Sequence, residues 1–357
     1  MLGHSTQRGI VMPRHVALCS TCVRNIASPV VPSEGGRCSY CESFDKHRGK
    51  LMASIGKRAG EFHAKTAERR GALDYDCLVM VSGGKDSVMA LEKVCKETPL
   101  RPLAFTIDNG FEMERAMSNV ERAADRLGVD WMVQRPAVLR KVICAVLKER
   151  VAVSVCRFCA PVMVNLAVKL AASLKIPYLV TGWNKGQSDR EPSRRPLWEP
   201  GDGCLDDLIS RYPFMAHCGI RPRENEKLLE QHQIEILSPW VSEARDPLGI
   251  MERLREDLGW EAPDVSYPKS STSCELNLLQ VLLSRKHFNL THYDCEESML
   301  VSFGEKSRAQ AIETLDHDID LPTVRRVLQK LGLSLAEVGL SEQELPDLAR
   351  FGAAEPA

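Results

Sequence analysis

Short uninterrupted apolar runs recur from Asp76 onward, at Cys77–Val81, Leu103–Ile107, Trp131–Val133, Tyr178–Thr181 and Ile234–Leu237, with amphipathic stretches between them. Runs this short suit strands buried on both faces, and the stretches between them suit helices. The alternation predicts an α/β fold, a doubly wound and mainly parallel sheet with helices on both faces. Upstream, Leu18–Ser43 has no apolar periodicity and is punctuated by Cys, Gly and Pro, so it cannot build an ordinary core. Lys46–Arg70 reads as a helix with apolar positions Leu51, Ile55, Ala59 and Phe62. Trp183–Gly203 is polar, carries Pro192, Pro196 and Pro200, and is expected to form a long loop. After Pro247 the pattern is mostly helical, with short helices expected at Ala309–Leu315, Thr323–Leu331 and Glu342–Arg350. The expected organisation is a cysteine segment at 1–45, a helical linker at 46–75, an α/β domain at 76–245 and a helical C-terminal region at 246–357.

Charge narrows this only locally. The 357 residues carry 47 Lys plus Arg against 48 Asp plus Glu, so no global field draws the chain to nucleic acid or anionic lipid. Lys46–Arg70 holds eight basic residues against two Glu, which suits a solvated helix face or a phosphate-contacting arm. No apolar run is read as approaching the roughly 18–20 residues that span a bilayer, and Met1 to Pro13 lack the apolar stretch of a secretory signal. A soluble, cytoplasmic chain is expected. Thirteen cysteines are many for that compartment, where thiols stay reduced, so metal ligation or thiol chemistry is the expected use. Cys77, Cys95, Cys144, Cys204, Cys218 and Cys295 stand alone and are expected to be buried apolar residues.

The segment Asp76-Cys77-Leu78-Val79-Met80-Val81-Ser82-Gly83-Gly84-Lys85-Asp86-Ser87, followed by Val88-Met89-Ala90-Leu91, runs strand, glycine loop, helix. Gly83 and Gly84 let backbone approach a polyanion, the helix start offers N–H groups and a favourable dipole, and Lys85 adds a point charge. The spacing is not that of a Walker loop. It resembles the PP-loop of the ATP pyrophosphatase family, whose members share Ser-Gly-Gly-x-Asp-Ser. The resemblance implies cleavage of ATP to AMP and pyrophosphate with adenylation of a substrate oxygen. It implies nucleotide contacts from Ser82, Gly83, Gly84, Lys85, Asp86 and Ser87, from Asp108 in Phe105-Thr106-Ile107-Asp108-Asn109-Gly110, and from Gly182 in Thr181-Gly182-Trp183-Asn184. Both later segments follow strands, where open α/β sheets bind ligands. Asp86, Asp108 and Asp189 are candidates for holding Mg²⁺, Asp189 being read more readily as a solvated loop acid.

Two cysteine constellations remain. Cys19-x2-Cys22 and Cys38-x2-Cys41, fifteen residues apart, have the spacing of a four-cysteine zinc ribbon with a scaffolding role. Cys156-Arg157-Phe158-Cys159 lies just before a helix expected over Pro161–Leu174, whose dipole should depress the thiol pKa values. With Ser238-Pro239-Trp240 and then Cys274, it is similar to the three-cysteine 4Fe–4S site of PP-loop enzymes that thiolate tRNA; a zinc pair, or structural cysteines with Cys274 unrelated, is the alternative. This likeness implies catalytic roles for Cys156, Cys159 and Cys274 beside Lys85 and Asp86, and replacement of an oxygen by sulfur. Over most of its length the chain also resembles the N-acetyl sugar amidotransferase branch, in its ribbon, Tyr75-Asp76-Cys77-Leu78-Val79 and Cys-x-Phe-Cys. That branch implies ammonia from a separate glutaminase subunit; Cys274 departs from it. A small-molecule or RNA substrate, a sulfur donor or glutaminase partner, and a homodimer all stay open. A non-catalytic zinc-ribbon nucleic-acid binder is a third reading that leaves the phosphate loop unexplained.

Overall fold

The computed structural model describes residues 16–68, 74–150, 155–185, 202–241, 247–268 and 273–352. The N-terminal segment forms a hairpin of β1 (Ser33–Glu34) and β2 (Arg37–Cys38), turned by Gly35 and Gly36 at positive φ. Helix α1 (Ser39–Thr66) leaves it without a break, so Cys41 lies on the first turn of a helix expected to begin only at Lys46.

Five parallel strands follow: β3 (Cys77–Met80), β4 (Pro102–Ile107), β5 (Trp131–Gln134), β6 (Tyr178–Val180) and β7 (Glu235–Leu237), in the order β5-β4-β3-β6-β7. Each lies within a residue or so of its expected run. Period-two alternation divides them between two cores. Leu78, Leu103, Phe105 and Leu179 face α4 (Ala137–Lys148) and α5 (Cys156–Ser173). Cys77, Val79, Ala104, Tyr178 and Val180 face α2 (Lys85–Glu97) and α3 (Glu114–Leu127). With both faces covered, the strands read as continuous apolar runs rather than alternating ones. Strand order reverses between β3 and β6, which opens a crevice at their carboxyl ends.

After β6 come α6 (Asp202–Arg211), α7 (Pro222–His232), β7, and then α8 (Pro247–Leu258), whose Leu254 and Leu258 close the α2 face. Helix α9 (Leu276–Phe288) is buried at every residue from Leu276 to Arg285, which makes it a core element rather than an appendage. Helices α10 (His292–Ser302), α11 (Arg308–Leu315), α12 (Leu321–Leu331) and α13 (Leu345–Ala349) complete the chain. The last is shorter than the expected Glu342–Arg350, because Pro346 is tolerated only in a first helical turn.

One expectation about apolar length fails. Helix α5 has 18 residues at mean hydropathy 1.3, long and apolar enough by composition to cross a membrane. Its Val162, Ala167, Val168 and Ala171 are wholly buried against the sheet and α4, so burial in the protein accounts for its composition.

Candidate functional site

The phosphate loop sits at the carboxyl end of β3, beside the crevice. Gly83 has φ +77°, and a Cβ there would fall 1.9 Å from the Ala116 carbonyl oxygen, so only glycine fits. Its own carbonyl is turned inward, accepting hydrogen bonds from Trp260 Nε1 (2.9 Å) and Asn119 Nδ2 (3.2 Å). That removes a partial negative charge from the mouth of the loop. The Ser87 hydroxyl donates to the Gly84 carbonyl (2.9 Å), and the Ser82 amide donates to Ser87 Oγ (3.1 Å), holding the turn closed. Trp240 Nε1 donates to the Asp86 carbonyl (2.9 Å). Gly182, beyond β6, packs so tightly that a Cβ would lie 2.7 Å from the Ser87 backbone. Lys85 and Asp86 open helix α2, where the dipole favours an anion.

Asp108 lies beyond β4, where its Oδ1 accepts from the Gly110 amide (2.7 Å) and its Oδ2 meets Arg135 Nε at 3.3 Å. Asp189 and most of the polar loop, residues 186 to 201, lie outside the described residues. Side chains from α10 also reach this edge, which no local pattern signalled. The Glu297 carboxyl is raised by burial, with Lys306 and more weakly Lys85 opposing the shift. Asn184 Nδ2 donates to Glu296 Oε1 (2.7 Å), and Lys185 forms a buried ion pair with Glu305.

The ribbon cysteines form a candidate metal site. Cys19, Cys22, Cys38 and Cys41 are buried, with all four sulfurs within 4.8 Å of one another. Contacts of 3.6 Å (Cys22 to Cys38, Cys38 to Cys41) and 3.9 Å (Cys19 to Cys41) are far too long for disulfides. They match the edge of about 3.8 Å that a tetrahedron with Zn–S bonds of about 2.3 Å requires. Backbone amides of Thr21 and Cys38 donate to Cys19 Sγ at 3.4 and 3.3 Å, as a thiolate accepts. The residues present fit a tetrahedrally held metal ion. Arg308 on α11 donates to the carbonyls of Cys19 and Cys22 at 3.1 to 3.2 Å, fastening the knuckle to the C-terminal helices.

Cys156 and Cys159 lie on α5 and Cys274 in the segment before α9, and the charge of Cys156 acts on both of the other thiols. The Met113 amide donates to the Ser273 carbonyl (2.8 Å) and the Glu275 amide to the Phe111 carbonyl (2.8 Å). This bridge pairs Glu112 with Cys274 and ties Cys274 to the loop after β4. Asn109 Nδ2 donates to Cys274 Sγ at 3.3 Å. The Cys156 amide donates to Gln280 Oε1 (3.1 Å), and Gln280 Nε2 contacts His292 Nδ1 (3.0 Å). Burial, and then the charge of Arg157, lower His292 to about 3.

Two expectations here are corrected. Helix α5 begins at Cys156 rather than Pro161, so the CxxC occupies its first turn. Pro161 is accommodated because only a bond to the Arg157 carbonyl is lost. The Cys159 thiol is not depressed by the dipole either. Burial pushes Cys159 and Cys274 well above the usual thiol range, and charge on Cys156 and Glu112 adds to the shift at both. Desolvation outweighs a half-charge at a helix end. Glu112 shares this environment: burial raises its carboxyl to about 8, a hydrogen bond from Ser273 opposes the shift, and the Asp108 charge adds to it. Cys159 and Cys274 feel the charge of both Cys156 and Glu112, and thiols with a carboxyl are the donor types that soft metal ions and iron–sulfur clusters take.

Of the isolated cysteines, Cys77, Cys218 and Cys295 are buried, while Cys95, Cys144 and Cys204 are only half-buried. None of the thirteen, all of them among the described residues, forms a disulfide.

No protein-family model matches the chain. The uncharacterized protein MJ1599 of Methanocaldococcus jannaschii is 23% identical over 260 residues, spanning 69% of this chain and 75% of that protein. Among solved structures, the chain is similar to the U34-tRNA thiolase NcsA from Methanococcus maripaludis with its 4Fe–4S cluster, at 15% identity and a TM-score of 0.36, covering 85% of this chain and 88% of that one. NMN synthetase from Francisella tularensis is 12% identical at a TM-score of 0.36, covering 82% and 97%. The NH3-dependent NAD synthetase of Campylobacter jejuni is 13% identical at a TM-score of 0.29, covering 59% and 93%.

Proposed function

We propose that this protein is a cytoplasmic ATP pyrophosphatase of the PP-loop kind, which adenylates a substrate oxygen and exchanges it for sulfur. The observation that supports this reading is the bridge between Glu112 and Cys274, which ties Cys274 to the loop after β4, with Cys156 and Cys159 on the first turn of α5. ATP lies over the start of α2, where Lys85 and the helix dipole stabilise charge developing on the leaving pyrophosphate. The substrate oxygen attacks the α-phosphorus, the bond to pyrophosphate breaks, and a sulfur nucleophile then displaces AMP. Asp86 and Asp108 would hold Mg²⁺, which would neutralise charge on the phosphates. Cys156, Cys159 and Cys274 would hold an iron–sulfur cluster, which supplies one iron free of protein thiolate and able to bind sulfide. Gly182 and the inward carbonyl of Gly83 keep the nucleotide mouth clear of side chains and negative charge.

The test is product analysis with anaerobically purified protein. AMP and pyrophosphate are expected, and ADP as the direct product overturns the reading. Lys85→Ala should cost about 2.7–4 kcal/mol of transition-state stabilisation, a loss of about 10²–10³ in turnover, with unchanged thermal unfolding. Sulfide should support AMP release. If ammonia supports it instead, in protein free of iron, transfer of nitrogen to a sugar replaces transfer of sulfur.

A further inference from the structure

The residue that the thiol site does not account for is Glu112. Its Oε2 is sealed from solvent and has no hydrogen-bond partner, while a hydrogen bond from the Ser273 side chain favours the ionised carboxyl. Left ionised, that oxygen is unfavourable unless something positive meets it. Glu112 is also not free to swing away. The hydrogen bonds from Met113 and Glu275 to the segment opposite fix its backbone directly across from Cys274. Charge on Glu112 acts on both Cys159 and Cys274, and charge on Cys156, exposed at the start of α5, acts on both as well. The neighbouring acid Asp108 differs, since Arg135 meets it at 3.3 Å.

We propose that Glu112 is the fourth protein ligand of the metal centre at Cys156, Cys159 and Cys274, binding through Oε2 at the corner that the three thiols leave. The inference rests on the reading that these cysteines hold metal. A cation resolves the anomaly, giving the orphaned oxygen a partner and making the neighbouring acidic groups jointly tolerable. It also sets the character of that corner. A carboxylate oxygen is the hard ligand among soft thiolates, hence the one that an incoming sulfur donor exchanges most readily. Glu112 then keeps the open corner from being taken by stray thiols, and yields it to sulfide.

Glu112→Gln keeps the shape and the backbone bridge, and Glu112→Ala removes the oxygen altogether. Wild type, both variants and Cys156→Ser are reconstituted anaerobically with ⁵⁷Fe and sulfide. Mössbauer spectra are recorded, and sodium sulfide is titrated back into the desalted proteins. Wild type should show one iron distinct from the others, with its signal altered in both Glu112 variants. Half-saturation by sulfide should fall by about tenfold or more in Glu112→Ala. Retained ribbon zinc and an unchanged circular dichroism spectrum certify that the variants are folded. Identical spectra and sulfide titrations in wild type and both Glu112 variants overturn the assignment of Glu112 while leaving the cluster intact. Iron uptake that Cys156→Ser does not reduce overturns both that assignment and the three-cysteine reading on which it rests.

Discussion

The two cysteine centres share a ligand chemistry and differ in almost everything else. In the ribbon, both CxxC pairs lie on one short stretch of chain, all four thiols are sealed, and the sulfurs already lie at tetrahedral edge lengths. In the second centre, Cys156 is exposed, Cys159 buried and Cys274 half-buried, and the third sulfur arrives from a distant segment. Among the described residues, only the ribbon thiols form a group of three or more His, Cys, Asp or Glu ligand atoms all within 4.8 Å of one another. A closed set of four thiolates leaves a metal no open position, whereas three thiols beside a displaceable carboxylate leave one. Cysteine count therefore says little about role. Closure and position relative to the sheet edge say more.

The largest effect that can break this contrast is expected from Cys38→Ser. Structural zinc contributes apparent binding energy on the order of 10 kcal/mol to folding, comparable with the whole stability of a domain. The variant should lose zinc by elemental analysis and unfold at a much lower temperature, or fail to accumulate; unaltered zinc content ends the ribbon reading.

Acid should act through the second centre. His292 has a folded pKa of about 3 against about 6.5 when unfolded. Below pH 6.5 the unfolded chain takes up a proton that the native state refuses, so this stability is whole above pH 6.5 and drains away as pH falls toward 3. The total is at most about 5 kcal/mol. Urea unfolding between pH 7 and 5 should show a shallower loss in His292→Gln than in wild type, and equal slopes refute the assignment.

Arg308→Ala sharpens the comparison from the ribbon's side. Losing its charge-assisted bonds to the Cys19 and Cys22 carbonyls should cost about 2 kcal/mol in urea unfolding, with zinc and turnover kept. Loss of zinc would mean that the knuckle depends on the C-terminal helices for its geometry.

The smallest effect on stability, and the most telling, is expected from Cys274→Ser. The hydroxyl can still accept the hydrogen bond from Asn109, so unfolding should shift by less than about 1 kcal/mol. ATP binding should persist while product formation stops. A variant as active as wild type removes Cys274 from the chemistry.

Much of this architecture was legible because its signals are local. Strand limits followed from apolar runs sandwiched between two layers of helices, and CxxC spacing marked the ribbon because paired thiols on knuckles need that spacing and little else. The phosphate loop was equally plain, since glycine there answers a steric demand that Ala116 makes concrete. The beginning of α5 was misplaced because proline is a strong start signal, and only packing of the CxxC turn against Gln280 and the β4 loop favours the earlier start. The thiol pKa expectation failed for a related reason. A helix dipole can be read from the chain, but desolvation depends on what covers the group. Nothing local marks Trp260 as the donor that turns the Gly83 carbonyl inward, or Glu112 as a neighbour of Cys274. Residues themselves determined which groups could bind phosphate, zinc or sulfur, because periodicity, backbone freedom and donor type are properties of short segments. Tertiary structure alone decided which of those groups meet, and in what dielectric, because convergence at the sheet edge is set by strand order and by packing between segments far apart in the chain.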